Sequence, residues 1–254
     1  MRMLRLCTLI VLLGVAARGA AAQSGPPPAW AFSVTPYGWF AGLSGKVQTP
    51  LDRFPGRSFN ADFDSIVGDL STIPIMGMAE ARYGRFGVVG DVLYLGLEQG
   101  LNTRDVAFQG GHARVNTTIG SLLGLFRVLD LLDQSLDVGA GVRIWNADTK
   151  LSLNPCRLPG VIQKDSVTWS DPLLAARYHL DLTDRFGLSV YGDIGGFNAG
   201  SVLTWQAMGS VDYSLTPTTV LRAGWRYLTF DKKRNDVRFD LGFNGPFIAA
   251  TFRF

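Results

Sequence analysis

The chain ends in the stretch FIAATFRF, residues 247–254, and this stretch decides the fold. Counted back from the last residue, every second side chain is apolar, and this set is Phe254, Phe252, Ala250 and Ile248. Such alternation is typical of a β-strand that has one apolar face. The final residues of soluble domains usually fray, whereas here the pattern continues to the last residue. The stretch therefore predicts a C-terminal strand that is anchored in a sheet.

The first 22 residues have the layout of a secretory signal peptide. Positively charged residues precede an apolar run at 6–17, and Ala20-Ala21-Ala22 offers an A-x-A cleavage site. The apolar run is shorter than the ~20 residues that a spanning helix needs. We therefore predict a signal peptide over 1–22, a Pro-rich linker over 23–29 and a single domain over 30–254.

Charge and cysteine content exclude several classes of function. Cleavage after residue 22 would remove three of the 24 basic residues and none of the 21 acidic ones, so the mature chain would be formally neutral. Net charge therefore gives no argument for nucleic-acid binding. Cys156 would be the one remaining cysteine, which excludes an intramolecular disulfide. Because the two histidines are dispersed, we expect neither a metal site nor a cofactor.

Ten segments of the mature chain alternate with the period of a β-strand. They are 30–40, 75–83, 86–98, 113–127, 135–148, 167–180, 186–197, 202–214, 219–230 and 244–254. Each is at least as long as the ~9–11 tilted residues with which a strand crosses a bilayer. Tight turns alternate with mostly longer connections, namely 41–74, 99–112, 149–166 and 231–243. We therefore predict an all-β, transmembrane up-and-down antiparallel barrel of about ten strands, within a range of eight to twelve.

Charged residues fall mainly on one face of these segments. The more apolar face, taken as outward, includes Val88, Val115, Ile119, Leu123 and Trp225, and its charges lie near strand ends at Glu98, Arg127 and Asp148. The opposite face, taken as the lumen, includes Arg114, Asp137, Asp212 and Arg253. It also holds our candidates for the lumen or its constriction, which are Glu80, Arg82, Asp91, Arg143, Asp171, Arg177, Asp193, Arg222 and Arg226.

A secreted β-sandwich would alternate in the same way, but two further features favour a membrane barrel. Aromatic residues lie near the outward ends of the strands, as interfacial belts require. All five lysines fall in the predicted outer loops, and they are Lys46, Lys150, Lys164, Lys232 and Lys233.

Several segments resemble those of Gram-negative outer-membrane barrels. The stretch FIAATFRF is similar to their C-terminal assembly signal, and TPYGWFAGLSGKV at Thr35–Val47 resembles the first strand of a small, poorly characterised group that is porin-like or OmpA-type. GDVLYLGLE at 90–98 and AGWRYLTFD at 223–231 have the same character. The resemblance implies export to the outer membrane, contact with its lipid and lipopolysaccharide, and insertion by the barrel-assembly machinery. Phe252 and Phe254 would form the assembly signal.

The lumen charges nearly cancel, with six acids against seven arginines. A ten-stranded barrel is only slightly wider than the eight-stranded barrels that side chains fill. We therefore expect Arg82, Arg143, Arg177, Arg222 and Arg226 to pair with Glu80, Asp91, Asp137, Asp171 and Asp193 across the lumen. This predicts either a structural barrel with a sealed lumen or a small, weakly selective passive channel.

Two alternative functions stay open. One is an enzyme with a protease or lipid-hydrolase site at the rim, where His112 lies near Asp105 in sequence, while His179 is a lumen residue. No Ser-His-acid spacing stands out, so we expect no enzyme. The other alternative is a surface receptor or adhesin that acts through the outer loops.

Two of these loops carry features of their own. In the first loop, Asp62 or Asp64 would cap a short helix with Ile66, Val67 and Leu70 on its apolar side. In the last loop, Lys232, Lys233 and Arg234 would be solvated or contact lipopolysaccharide phosphates. The sequence gives no oligomeric state.

Overall fold

The structure is a computed structural model that describes residues 29–48, 57–61, 74–101, 108–155, 160–234 and 237–254. All regular secondary structure in these ranges is β-strand. The strands are β1 Trp30–Trp39, β2 Gly42–Gln48, β3 Arg57–Ala61, β4 Ile75–Tyr83, β5 Phe86–Leu101, β6 Phe108–Asp130, β7 Gln134–Pro155, β8 Val161–Asp181, β9 Phe186–Gly195, β10 Leu203–Thr216, β11 Thr219–Arg234 and β12 Val237–Arg253. Within the same ranges, no helix is long and apolar enough to cross a membrane.

Some predictions fall on residues that the structure does not describe. They are the signal peptide over 1–22, the linker apart from Ala29, the capped helix near residues 62–70, Asp105 and Cys156.

The strands form one closed antiparallel barrel. From β4 to β12 each strand pairs with the next, and β1 pairs with both β4 and β12. β2 continues the path of β1 along β12, and β3 pairs with the other edge of β2. β1 and β2 thus form one interrupted strand of a ten-stranded wall, which confirms the predicted fold class. Closure pairs the first strand with the last, so that the sheet keeps no open seam between them.

The last residue lies in the seam that closes the barrel. The amide of Phe254 donates a hydrogen bond of 2.8 Å to the carbonyl of Phe32, and the amide of Phe32 returns one of 3.2 Å. Next to this pair, Phe252 lies opposite Val34. The apolar alternation reaches the end of the chain because the final residue is itself part of the wall.

The two ends of the barrel differ. The first residue of β1 and the last residue of β12 lie at the end with short turns, here called the turn end, and the opposite end is called the loop end. One tight turn-end hairpin joins β4 to β5 through two residues, and Gly84 takes a φ of 56° there. Such a positive φ suits glycine, which lacks a Cβ.

At the loop end the strands run further than the alternation predicted. β5 continues to Leu101, β7 to Pro155 and β11 to Arg234, so most of the predicted loops 99–112, 149–166 and 231–243 is paired strand. Residues 42–48 and 57–61 of the predicted loop 41–74 are also strand, and the five lysines lie in these extensions. The predicted strands ended too early because polar side chains on both faces remove the two-residue alternation there. The hydrogen bonds between strands are made by the backbone and do not depend on that alternation.

Apolar side chains cover the outside of the wall. Exposed examples from different strands are Val34, Val88, Leu174, Val190, Val211 and Ile248. Aromatic pairs lie on the outside near the turn end, where the rings of Phe86 and Phe126 are 5.0 Å apart. Trp205 and Tyr227 stack at 4.7 Å toward the loop end. Two aromatic levels that flank an apolar band match the two interfaces of a membrane.

The predicted faces of β6 are wrong. Ile119 and Leu123, expected outside, are each 4% exposed and face the lumen, whereas Leu122 is 56% exposed on the outside. Val115 shares the lumen-facing parity with Ile119, and Arg114 is on the outside. Two glycines, Gly120 and Gly124, dilute the apolar character of the outward face, while the lumen face of β6 packs into an apolar core. The more apolar face was therefore the inner one.

Candidate functional site in the lumen

The lumen-facing side chains lie in alternating layers. From the turn end to the loop end, β6 presents Arg127, Leu125, Leu123, Ser121 and Ile119. β8 follows the same order with Arg177, Ala175, Leu173, Asp171 and Trp169. The interior therefore has a charged layer at the turn end, an apolar layer, a polar layer near the middle and an aromatic layer toward the loop end.

The layer at the turn end is a cluster of ion pairs, here called the turn-end cluster and formed by Glu80, Arg82, Arg127, Asp137 and Arg177. Asp137 accepts hydrogen bonds from all three arginines at 2.8–3.0 Å. Arg177 also donates to Glu80 at 2.7 Å, and Arg82 donates to it at 2.9 Å. The Asp137 side chain is 2% exposed, so this carboxylate has exchanged water for guanidinium groups.

Beside this cluster, Asp212 is held mainly by serines. It accepts hydrogen bonds from Ser189 at 2.6 Å and from Ser210 at 2.7 Å. Arg222 is less closely paired, because its Nε lies 3.6 Å from the Asp212 carboxylate. Among the described residues this Nε has no hydrogen-bond partner. Arg222 thus contributes charge to the turn end without joining the tight cluster.

A chain of hydrogen bonds crosses the middle of the lumen. It is here called the mid-lumen bridge and runs through Tyr37, Asp91, Arg226, Gln206, Arg143 and Asp193. At one side Arg226 donates to Tyr37 and to Asp91, both at 2.9 Å. At the other side Arg143 donates to both oxygens of Asp193 at 3.1 and 2.7 Å. The six residues come from six strands, β1, β5, β11, β10, β7 and β9.

Gln206 joins the two halves of the bridge. Its Oε1 accepts from Arg226 at 2.9 Å and from Arg143 at 3.4 Å. The two arginines are 4% and 1% exposed as residues, so both guanidinium groups are buried inside the barrel. Close hydrogen-bonded partners offset the cost of burying these charges, although the Nε of Arg226 has no hydrogen-bond partner among the described residues. The bridge is therefore a connected polar layer and not a set of separate surface pairs.

Apolar side chains fill the space between the two charged layers. The residues are Val89, Leu123, Leu125, Leu173 and Ala175. On β7 the corresponding positions are Gly139 and Gly141, where an added Cβ would lie 2.0 Å from a backbone carbonyl of β6. The wall strands therefore approach closely at this level.

An aromatic layer lies above the bridge. Its buried members are Trp39, Leu93, Ile119, Trp145, Leu228, Phe230 and Phe247. Trp145 stacks on Trp169 with their centroids 5.6 Å apart, and Arg226 lies 4.8 Å from the ring centre of Trp39. A cation above an aromatic face is electrostatically favourable, which ties the bridge to this layer.

Asp171 lies opposite Arg143 on the neighbouring strand, level with the polar layer, but among the described residues it does not form the ion pair that was expected. Instead of pairing with an arginine, its carboxylate accepts hydrogen bonds from the indole of Trp145 at 2.8 Å and from the Ser201 hydroxyl at 2.8 Å. The backbone amide of Ser201 donates a further bond at 2.5 Å. Asp171 thus fixes the β9–β10 connection against the aromatic layer.

The lumen candidates chosen from the sequence divide between these levels. Glu80, Arg82 and Arg177 lie in the turn-end cluster, and Arg222 lies beside it. Asp91, Arg143, Asp193 and Arg226 lie in the mid-lumen bridge. Arg222 and Arg226, which share one face of β11, therefore act at different levels.

Three interior residues were missed by sequence reasoning. Arg127 was expected outside because the faces of β6 were reversed, but it donates to Asp137 at 3.0 Å. Tyr37 and Gln206 carry no charge, so a search for charged lumen residues passed over them. Their position on the inward parity of β1 and β10 was the available signal.

A cavity opens from the turn end. It has a volume of about 410 Å³, and its lining runs from rim residues such as Leu132 and Phe254 to the turn-end cluster. Arg222 and His179 also line it. The cavity therefore gives solvent a path to the lower charged layer, while the apolar layer lies above it.

The two histidines lie far apart. His112 is exposed on the outward face of β6, opposite Gly100 and Ser152 on the neighbouring strands. His179 faces the turn-end cavity and contacts Ser189 at 2.9 Å and Asp181 at 3.1 Å. Within the described ranges, no group of three or more ligand-type residues is arranged to hold a metal ion.

The last charged hairpin also differs from the expected solvated loop. Lys232 turns into the lumen mouth, donates to the carbonyl of Gly200 at 2.9 Å and lies 4.3 Å from the ring centre of Trp169. Asp231 forms an ion pair with Arg238 across the same hairpin.

Comparison with known proteins bears on the fold. No protein-family model and no curated protein sequence matches the chain. Among solved structures, the outer membrane protease OmpT from Escherichia coli superposes with a TM-score of 0.54 at 8% identity, over 89% of this chain and 97% of that one. At that identity the likeness shows a shared fold. The chain therefore has the fold of the porin-like outer-membrane β-barrels.

Other barrels superpose more loosely. The translocator domain of the autotransporter NalP from Neisseria meningitidis gives a TM-score of 0.39 at 12% identity, over 92% of this chain and 90% of that one. Ail, the attachment invasion locus protein of Yersinia pestis, in complex with the heparin analogue sucrose octasulfate, gives 0.37 at 13% identity, over 90% of this chain and 100% of that one.

Proposed function

We propose that this protein is an integral barrel of the outer membrane whose lumen is closed, so that it serves as a structural element of the membrane. The observation that carries this proposal is the mid-lumen bridge, in which Gln206 links two buried arginine–carboxylate pairs across the interior. The apolar and aromatic layers on either side add further side chains to the same path.

The exterior supports the membrane location. Wall positions that would meet lipid are apolar and exposed, as at Phe32, Val92 and Leu188. Such residues would be unfavourable on the outside of a water-soluble barrel, because exposed apolar area of this extent has a free-energy cost in water. A bilayer removes that cost, and the closed wall satisfies the backbone inside it.

Energetics support a closed resting state. Opening the lumen at mid-height would separate Arg226 from Asp91 and Arg143 from Asp193, whose side chains are between 0% and 14% exposed. Breaking a buried pair costs about 3–5 kcal/mol when one charge is left without its partner. At that free-energy cost the open state is a small fraction of the population, so the bridge is intact in nearly all molecules.

A passive channel is the second candidate function. The cavity of about 410 Å³ favours it, because solvent already reaches the turn-end cluster from one side. Under this alternative the mid-lumen bridge would be a gate that some condition in the cell opens. Near-equal numbers of acids and arginines would then make the channel weakly selective.

We propose no catalytic activity for the barrel. At the turn end, His179 does lie between a serine and an acid. Its Nδ1 is 2.9 Å from the Ser189 hydroxyl, and its Nε2 is 3.1 Å from the Asp181 carboxylate. The Ser189 hydroxyl, however, lies 2.6 Å from the Asp212 carboxylate and donates its proton there. A serine nucleophile must instead give its proton to the histidine, so this group favours a structural network.

Thiol accessibility tests the closed lumen. In a background in which Cys156 is replaced by serine, Ser189→Cys places a thiol in the turn-end cavity, and Thr204→Cys places one beside the bridge, where Thr204 is 0% exposed. With the refolded protein in detergent and a water-soluble maleimide, we expect the thiol at position 204 to react at least about tenfold more slowly than the one at 189.

Denatured samples of both variants should react at the same rate, which controls for reagent quality. Equal rates in the folded state would contradict a closed lumen and favour the channel.

A further inference from the structure

The outward face of the barrel carries a row of cations at the loop end. Arg114 on β6 lies directly opposite Lys150 on β7, and Lys150 lies directly opposite Lys164 on β8. All three residues are exposed. They are here called the cationic row, and they line a shallow pocket of about 400 Å³ on the outer side of the wall.

Like charges that face each other across neighbouring strands are unfavourable. Arg114 is relieved by Glu98 on β5, to which it donates at 3.0 Å. Glu98 also attracts Lys150 at longer range, but neither lysine forms an ion pair or a hydrogen bond with any residue in the described part of the chain.

Acidic residues do lie nearby, but they leave the lysines available. Asp148 and Asp165 line the same pocket, yet neither lies within ion-pair distance of Lys150 or Lys164 in the described part of the chain. Asp148 precedes Lys150 by two residues on the same face and so lies closer to the apolar wall. The ammonium groups therefore face outward, with their charge free to meet an external anion.

The position of the row identifies the environment of that anion. Lys150 lies six residues beyond the exposed wall residue Ile144 on the same face of β7, and Asn146 and Asp148 lie between them. Six strand residues span about 20 Å along the strand, and strand tilt reduces this to about 15 Å along the barrel axis. The row would thus lie just beyond the hydrocarbon, at the level of the lipid headgroups.

We propose that the cationic row binds the phosphate groups of lipopolysaccharide in the outer leaflet. Two unpaired ammonium groups and a guanidinium group at one level match an anion that has several strong acceptor oxygens. Clustered basic residues at a membrane surface attract lipid phosphates in the same way. The inference rests on the proposed outer-membrane location, because the row faces the plane of the lipid and not the lumen.

The test uses the refolded mature chain in detergent, with the midpoint of thermal unfolding followed as rough lipopolysaccharide is added. A ligand that binds the folded state raises this midpoint with its concentration, which gives an apparent affinity. The variant Lys150→Gln, Lys164→Gln should bind about 30-fold more weakly than the wild type. Lys150→Arg, Lys164→Arg should keep most of the affinity, since it keeps the charge.

Lys46→Gln is the matched control, because Lys46 is exposed in the loop-end strand β2 and outside the row. It should bind like the wild type. Lipopolysaccharide stripped of phosphate should bind weakly to every variant, and inorganic phosphate at equal phosphate concentration should leave the midpoint unchanged.

Equal binding by the wild type and the double glutamine variant would overturn the proposal, as would an equal loss in Lys46→Gln. A midpoint shift by inorganic phosphate as large as that by lipopolysaccharide would overturn the assignment to the lipid. The thiol-accessibility experiment tests the closed lumen, and this titration tests the outer surface. A failure of the proposed function is therefore distinguishable from a failure of the proposed lipopolysaccharide site.

Discussion

Asp137 shows at the scale of one residue how the interior is held together. Its carboxylate accepts hydrogen bonds from Arg82, Arg127 and Arg177, which come from β4, β6 and β8. A single buried charge on β7 thus connects its two neighbouring strands, β6 and β8, and the more distant strand β4. Glu80 completes the balance by accepting from Arg82 and Arg177. We therefore expect the stability of the cluster to depend on the negative charge of these carboxylates more than on the shape of their side chains.

We predict that Asp137→Asn lowers the free energy of unfolding by about 3 kcal/mol, because it leaves three partly buried guanidinium groups without their shared counter-charge. Urea unfolding of the protein in lipid vesicles, followed by tryptophan fluorescence, measures the change. Asp130→Asn is the control and should cost less than about 1 kcal/mol. The Asp130 side chain is 48% exposed, and its one partner in the described part of the chain is Arg127 at 3.3 Å.

The double variant Asp137→Asn, Arg127→Gln should recover part of the lost stability, because it removes one uncompensated cation. If Asp137→Asn were as stable as the wild type, the cluster would not hold the turn end together.

At the scale of the element, β12 does two things at once. Its full length pairs with β11, and its last residues pair with β1 to close the barrel. The outward side chain of Phe254 is 78% exposed, so packing within the barrel does not account for an aromatic there. Its backbone, in contrast, is bonded to Phe32 in both directions. The side chain is thus free to serve as the assembly signal proposed from the sequence.

We predict that Phe254→Ala slows insertion by the barrel-assembly machinery while export and final stability stay close to wild type, because the closing hydrogen bonds are made by the backbone. Pulse-chase labelling in a Gram-negative host, with heat-modifiable mobility as the sign of folding, measures the rate. Phe186→Ala is the control, since it removes another exposed aromatic at the turn end. Insertion of Phe254→Ala at the wild-type rate would refute the role of the terminal side chain.

Sequence reasoning succeeded for these elements where one face differed clearly from the other. β7 and β9 alternate apolar residues with charges such as Arg143 and Asp193, so their faces were predicted correctly. β6 failed because Ile119 and Leu123 belong to an apolar core inside a lumen that was expected to be polar. When a strand is apolar on the lumen side and glycine-rich on the outside, a rule that assigns the more hydrophobic face to the outside is wrong.

At the scale of the whole molecule, the barrel is a closed wall around a filled interior. The sequence could predict charges in the lumen, but it could not predict which of them meet, because partners such as Arg226 and Asp91 are 135 residues apart. Nor could it reveal that Asp171 binds Trp145 and Ser201 in place of an arginine. Those choices depend on the stagger of the strands around the barrel, which brings distant residues to one level.

The most direct measurement of the closed-lumen account is ion conductance of the refolded wild-type protein in a planar bilayer, with heat-modifiable mobility used to show that the sample is folded. The account predicts no unitary conductance steps from the wild type. It also predicts none from Arg222→Ala, because Arg222 lies below the mid-lumen bridge. Reproducible unitary steps from folded wild-type protein, absent after denaturation, would contradict the account and establish a channel.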